Sequence, residues 1–326
     1  MEFETVPTVP TADELLDRSL RRAAAKKKLK TNVDRANEEF VRAASSAIHD
    51  KLKSVVSAFP SFERLPPFYR EMADILVSLD RLKKSLGAVT WAADRVRAIG
   101  SGYARSMRRA ADTDNLRRQA VARIASVVHQ VDKDLVFLNE ARNILRKLPH
   151  VSEDEFTVVV AGYPNVGKSS FIRLVSTAEP EIATYPFTTK GVIVGHRDLG
   201  RGERIQFIDT PGVLDRPADE RNPIERQAVS AIVNAADVVL FMLDASEHCG
   251  YLLDDQIALL DEIRGLVDVP VVAVINKADI RRIEGYPAVS TLTGEGVEEV
   301  LGLLLRYRES TRHTSLQEPP RSKTPE

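Results

Sequence analysis

Cysteine is almost absent: the 326-residue chain has one, Cys249. A single thiol can form neither an internal disulfide nor a multi-cysteine metal site, and it fits a reducing compartment. Long apolar runs are missing too. No stretch approaches the roughly 18–20 uncharged apolar residues of a membrane span. The opening Met1-Glu2-Phe3-Glu4 is acidic and lacks the apolar core of a secretory signal, so none is expected. Net charge is also close to nil, −1 from 46 basic and 47 acidic side chains. Secreted scaffold, membrane protein and zinc module are disfavoured, and a cytoplasmic protein with no membrane partner is expected.

What is present is unevenly distributed. Residues 1–150 carry 28 Lys and Arg against 19 Asp and Glu, and the remainder carries 18 against 28. A basic half raises the expectation of a polyanionic partner, although two halves of opposite sign could also attract each other. At 100–200 residues per domain, two domains are expected.

The basic half reads as helix after helix. Thr11-Ala12-Asp13-Glu14 has capping-box spacing, with Thr11 as N-cap and Glu14 reaching back. Apolar residues recur every three or four positions through Phe40, Ala44, Ile48, Leu52 and Val55, up to Pro60. Pro66-Pro67 opens a second run with Met72, Ile75, Leu79 and Leu82 on one face. Trp91, Val96 and Ile99 mark another, expected to break near Gly100-Ser101-Gly102. From about Thr113 one long helix is expected through Leu116, Ala120, Ile124, Val127, Val131, Leu135, Leu138 and Leu145, ending before Pro149. These predict an antiparallel helical bundle over 1–150.

After His150 apolar runs of strand length alternate with helical ones. Strands are expected at Phe156–Ala161, Val192–Val194, Ile205–Ile208, Val238–Leu243, Val271–Ile275 and briefly Tyr286–Val289. Helices are expected near Lys168–Ser176, Pro223–Ala235, Leu253–Leu266 and Gly296–Arg306. Such alternation predicts a mostly parallel sheet with helices on both faces. The polar, proline-bearing stretch at 309–326 is expected to be a disordered tail.

Gly162-Tyr163-Pro164-Asn165-Val166-Gly167-Lys168-Ser169 matches GxxxxGK[ST] between a strand and a helix, and Ser170 follows it. There the loop's N–H groups turn onto a β-phosphate, Lys168 neutralises β/γ oxygens and the Ser169 hydroxyl ligates Mg²⁺. Asp209-Thr210-Pro211-Gly212 follows the next strand as DxxG, with Asp209 toward a magnesium-bound water and the Gly212 N–H toward a γ-phosphate. Asn276-Lys277-Ala278-Asp279 fits NKxD, where the Asp279 carboxylate can accept two hydrogen bonds from guanine and none in that arrangement from adenine. Ser290-Thr291-Leu292 occupies the place of a loop that contacts the guanine carbonyl. In Tyr185-Pro186-Phe187-Thr188-Thr189-Lys190, one threonine would complete magnesium; Thr189 is favoured, with Thr188 as the alternative. The fold class predicted is thus an α/β P-loop GTPase domain, a mostly parallel doubly wound sheet over 151–308, preceded by the all-α bundle, with GTP or GDP and Mg²⁺ as cofactors.

The residue after DxxG is Val213, which cannot orient water, so slow intrinsic hydrolysis is expected unless a group comes from elsewhere. Two readings of Asn165 stay open: a K⁺ ligand at the position of an arginine finger, as in similar GTPases, or a brace for the loop. Arg216 and His248 are weaker candidates. The catalytic set expected is Lys168, Asn165, Thr189 and Gly212.

The runs at 162–170, 185–190 and 209–217 resemble Obg-related GTPases. Those at 220–227 (Glu-Arg-Asn-Pro-Ile-Glu-Arg-Gln) and 244–251 (Asp-Ala-Ser-Glu-His-Cys-Gly-Tyr) narrow the resemblance to the nucleolar GTP-binding protein family, in its short archaeal-type form. The resemblance spans about 5–308. It implies a large ribosomal subunit precursor and its rRNA as partners, docked through the bundle, with a GTPase that times binding or release. Basic clusters at Lys26-Lys27-Lys28 with Lys30, Arg105 with Arg108-Arg109, and Arg117-Arg118 agree with that. Few aromatics look exposed, so backbone and shape recognition of RNA is expected over base stacking. A monomer that does not bind DNA is expected. Two other functions remain open: a GTP-gated protein-interaction module, and an Obg/DRG-like factor on mature ribosomes.

Overall fold

The computed structural model describes residues 3–27, 32–152, 154–183, 192–200, 202–209 and 234–315. They fall into two compact units, Met1–Leu65 with Leu76–Lys147, and Pro66–Ile75 with Leu148–Glu326.

The first unit is built from α1 (Ala12–Lys27), α2 (Val33–Ala58), α4 (Leu79–Met107), α5 (Thr113–Gln130) and α6 (Asp132–Leu145), with α3 (Pro67–Val77) between α2 and α4 in the chain. The caps are local chemistry. The Thr11 hydroxyl accepts from the Glu14 N–H at 3.3 Å, Asn32 Oδ1 from Arg35 at 3.0 Å and Asp112 Oδ1 from Asn115 at 3.0 Å, each satisfying a first-turn donor. Helix α2 buries Phe40, Val41, Ala44, Ile48, Leu52 and Val55, the face its periodicity predicts, against α1 and α4. The extended segment before α1 is pinned along α6: Arg142 Nε donates to Val6 O at 2.8 Å, and Asp132 Oδ1 accepts from Ala12 N at 2.8 Å.

Three helix boundaries differ from the sequence expectation, for separate reasons. The run opened by Pro66-Pro67 splits at Ser78, whose φ of 61° turns the chain between α3 and α4. The long helix from Thr113 splits at Val131, where φ −104° and ψ 12° leave helical geometry. Val77 and Val131 are both buried, so the apolar period runs on through each break and hides it. Conversely, α4 does not break at Gly100. That glycine lies in the crossing with α2, where a Cβ would overlap the Ser45 side chain. It is there for close approach rather than for helix termination. Gly100→Ala should therefore destabilise the helical unit by about 1–3 kcal/mol through overpacking. Gly87→Ala, with nothing within 4 Å of the added carbon, should stabilise it by about 0.5–1 kcal/mol. Urea unfolding followed by far-ultraviolet dichroism separates the two signs.

In the second unit the start of α3 is held by Tyr69, whose hydroxyl donates to Pro149 O at 3.1 Å and accepts from Val151 N at 3.0 Å. Six strands form one sheet: β1 (Phe156–Ala161), β2 (Glu181–Ala183), β3 (Val192–Gly200), β4 (Glu203–Asp209), β5 (Val238–Asp244) and β6 (Val271–Asn276). Their order is β2-β3-β4-β1-β5-β6; β4, β1, β5 and β6 run parallel, and β2 and β3 are antiparallel. β1 and β5 are buried along their whole length, which is why both are almost wholly apolar, with Thr157 in β1 and Asp244 at the end of β5 the polar positions. Helices α7 (Lys168–Val175), α8 (Leu253–Leu266) and α9 (Val297–Ser315) are the other helices among the described residues of this unit. The strand expected at Tyr286–Val289 is reduced to one parallel bridge, Ile275 with Ala288. The helix expected over 223–235 lies almost wholly outside the described residues. The expected tail begins inside α9, which overruns residue 308; the Arg308 guanidinium pairs with Glu203 at 2.7 Å and anchors the last turns. No described helix is long and apolar enough to cross a membrane.

Candidate nucleotide-binding site

The carboxyl ends of the parallel strands meet on one edge of the sheet, where Val160 is opposite Asp209 and Asp244 opposite Asn276. Ligands of doubly wound sheets bind at such an edge. The chain leaves β1 through Gly162 (φ 132°) and enters α7 through Gly167 (φ 105°), conformations in the left-handed half of the map that a Cβ resists. A side chain would in addition strike Met242 O at the first and Asn276 at the second. Asn165, at φ 62°, is exposed at the turn. Tyr163 and Val166 are buried, Pro164 half-buried and Ser170 exposed.

Lys168 is buried, and its ammonium donates to Gly162 O at 2.6 Å and Tyr163 O at 3.0 Å. The lysine thus lies folded within its own loop at the N-terminus of α7. The Ser169 hydroxyl donates to the buried Asp209 carboxylate. A hydroxyl from the first turn of α7 and a carboxylate from the end of β4 form an all-oxygen donor pair, the chemistry that suits a hard cation such as Mg²⁺. No cluster of three or more His, Cys, Asp or Glu exists among the described residues.

The other end of the edge is tied to the loop by one buried side chain. Asn276 Nδ2 donates to Val166 O at 2.7 Å and to Thr291 Oγ1 at 3.1 Å, while its Oδ1 accepts from Thr291 N at 3.0 Å. The Ser290 hydroxyl donates to Asp279 Oδ1 at 2.6 Å, fixing the exposed carboxylate. The residues expected to cradle phosphate and those expected to read a base are therefore one hydrogen-bonded body. Leu292 stands apart, 84% exposed. Thr188, Thr189, Gly212 and Arg216 lie outside the described residues. His248 is exposed and pairs only with Ser246 Oγ, at 2.9 Å, among the described residues.

Comparison with known proteins decides the family. A profile described as the NOG1 N-terminal helical domain matches residues 3–152, and one described as nucleolar GTP-binding protein 1 (NOG1) matches 223–279. An uncharacterized protein of Methanocaldococcus jannaschii is 42% identical over 289 residues, covering 85% of this chain and 81% of its own. Nucleolar GTP-binding protein 1 of Eremothecium gossypii is 34% identical over 295 residues, 87% of this chain and 46% of its own. The chain belongs to the nucleolar GTP-binding protein family. It spans about half the length of the nucleolar relatives. Among solved structures, a nucleolar GTP-binding protein 1 of Plasmodium falciparum aligns at 32% identity with a TM-score of 0.46, over 52% of this chain and 94% of that one.

The run at 244–251 that carries the resemblance to the nucleolar GTP-binding protein family forms a support whose role was not legible in the sequence. Asp244, fully buried at the end of β5, accepts from Lys277 Nζ at 2.5 Å, Ser246 N at 3.0 Å and Cys249 N at 2.8 Å. Burial alone would raise its pKa, but the hydrogen bonds from Lys277 and Ser246, together with the Lys277 charge, hold it below the usual carboxylate value. Gln256 of α8 closes the loop, accepting from Asp244 N at 2.7 Å and donating to Tyr251 O at 3.0 Å. Tyr251 stacks on Tyr163 of the loop between β1 and α7, with centroids 4.2 Å apart. Burial pushes the Cys249 thiol up, so it is a poor nucleophile. A polar residue closing an all-apolar strand was the sequence signal for Asp244.

Proposed function

We propose that the chain is a GTP-binding and GTP-hydrolysing switch that acts in assembly of the large ribosomal subunit and docks on its rRNA through the helical unit. The observation that carries the nucleotide part is the Asn276 side chain, which links the phosphate loop at Val166 to Thr291 beside the Ser290–Asp279 pair. In this reading residues 162–170 cradle the phosphates, and Lys168 leaves its loop carbonyls for β/γ oxygens. Asp279 takes the guanine N–H groups, with Asn276, Lys277, Ser290 and Thr291 around the base. Ser169 and Asp209, with Thr189 or Thr188, hold Mg²⁺, which neutralises phosphate charge when bound. Thr189 and Gly212 meet the γ-phosphate, and hydrolysis releases the segments that carry them.

The ribosomal part draws on the family and on the excess of base in residues 1–150. Three of the arginines in the basic runs are spoken for within the unit: Arg108 pairs with Glu38 at 3.1 Å, and Arg117 and Arg118 both pair with Asp114. Sedimentation through sucrose gradients with a GTP analogue or GDP tests the whole reading. Nucleotide-dependent co-migration with precursor large subunits is expected. Migration with mature ribosomes would favour a translation factor, and migration with no particle a protein-interaction module.

Asn165, exposed at φ 62°, supports a K⁺ ligand that offsets the missing water-orienting side chain at Val213. Turnover should rise when K⁺ replaces Na⁺ at equal ionic strength, and Asn165→Ala should abolish the difference. Equal rates in the two salts would leave Asn165 a brace.

A further inference from the structure

Trp91, the chain's single tryptophan, is 49% exposed at the middle of α4. Its exposure is not an accident of a helix end. At about 100° per residue, Trp91 points directly away from the buried stripe of Val89, Ala92, Ala93, Val96 and Gly100. The neighbours one turn away on this face are Gly87 and Ala88 on one side and Asp94 and Arg95 on the other. Gly87 has nothing within 4 Å of an added Cβ, and Arg95 is exposed on the other side. Lys84 and Arg105 extend the face, both exposed, and neither they nor Arg95 have an ion-pair partner among the described residues. Of the acids nearby, Asp94 is taken by Lys53 at 2.9 Å, and Asp80 sits in the first turn of α4.

We propose that this face of α4 holds an unpaired RNA nucleotide, its base stacked on Trp91 and its flanking phosphates on Lys84 and Arg95. The face has one large ring and no other bulky apolar side chain to anchor a protein helix, which would need several at helical spacing. A planar base needs one ring, with cations along the strand for the backbone. Lys84 precedes the ring by about 10 Å along the axis and Arg95 follows by about 6 Å, from a rise of 1.5 Å per residue. Low walls at Gly87 and Ala98 leave the ring accessible. The inference rests on the proposed RNA docking of the helical unit and refines it: stacking joins backbone recognition, contrary to the sequence expectation.

A sole tryptophan makes the readout direct. The full chain with GDP is titrated with a 12-nucleotide single-stranded oligoadenylate and, separately, with a 12-base-pair A-form RNA duplex, following tryptophan fluorescence and, independently, anisotropy of a dye on the RNA. The oligoadenylate should quench Trp91 and the duplex should not. Trp91→Ala should weaken oligoadenylate binding by about 5- to 150-fold, the range for loss of one stacked base. Trp91→Phe should retain most of the affinity. Lys84→Ala and Arg95→Ala should each reduce the salt slope by about 0.7. Saturating anisotropy without quenching, or undiminished binding by Trp91→Ala, overturns the stacking while leaving RNA docking intact. Anisotropy that detects no RNA binding by the native chain overturns both. Should Trp91→Ala unfold, quenching of the native chain by oligoadenylate and the salt slope of Arg95→Ala decide instead.

Discussion

Asp279→Asn should cost the chain about 10²- to 10⁴-fold in GTP affinity, the loss of two hydrogen bonds to a charged acceptor at about 1.5–3 kcal/mol each. In the proposed site the carboxylate would accept from both donors on guanine; an amide can accept from one and turns its own N–H₂ against the other. Xanthine has a carbonyl where guanine has the exocyclic amine, so Asp279→Asn should gain affinity for xanthosine triphosphate as it loses GTP. The Ser290 hydroxyl, which holds Asp279 Oδ1 at 2.6 Å, can donate equally well to the amide oxygen and keep the new side chain oriented. Competition of each nucleotide against a fluorescent GDP analogue measures the exchange. Equal losses for both nucleotides would mean that Asp279 only shapes the loop and does not read the base.

Asp244→Ala is expected to be the most damaging change away from the ligand. It removes a fully buried carboxylate that accepts from Lys277, Ser246 and Cys249. Breaking one partner of a buried ion pair costs about 3–5 kcal/mol, because the other is left uncompensated. Lys277, at φ 57°, loses the contact that holds its strained backbone turn in place. The damage should be local to the second unit. Hydrogen exchange of β5 and β6 amides should accelerate strongly while the core amides of α2 and α4 stay protected. An unchanged exchange pattern would sink the assignment.

The same carboxylate gives a pH signature. Its folded pKa lies below the ordinary carboxylate value of 3.8, so the folded state binds the proton less tightly than the unfolded chain. The stability it contributes is therefore complete above that value and is lost as pH falls through the lower folded one. Acid unfolding of the native chain should steepen below pH 3.8, and Asp244→Ala should remove that part of the curve.

The chemistry along the sheet edge was legible because each motif follows a strand at fixed spacing. Gly162 to Ser169 needs glycines where the chain turns, and Asn276 to Asp279 needs an amide and a carboxylate three residues apart. Strands β1 and β5 were legible because both faces are buried, which leaves only Thr157 and the closing Asp244 as polar positions. The breaks at Ser78 and Val131 were not, because apolar spacing survives a change of axis when the break itself is buried.

Sequence alone determined the type of each half and its charge, and it singled out the residues proposed to face phosphate and base, since these depend on residue type at short range. Tertiary structure decided what lies far apart in the chain. It brought Asn276 to Val166, Asp244 to Lys277 and Tyr251 to Tyr163. It also made Gly100 a crossing point and tied Arg108 to Glu38. On α4 it turned Trp91, which periodicity had assigned to an apolar face, out to solvent. Periodicity reports only that a helix has an apolar side; which side meets a neighbour is settled by how many helices pack on it, and α4 meets its neighbours through Val89, Val96 and Gly100, opposite the tryptophan.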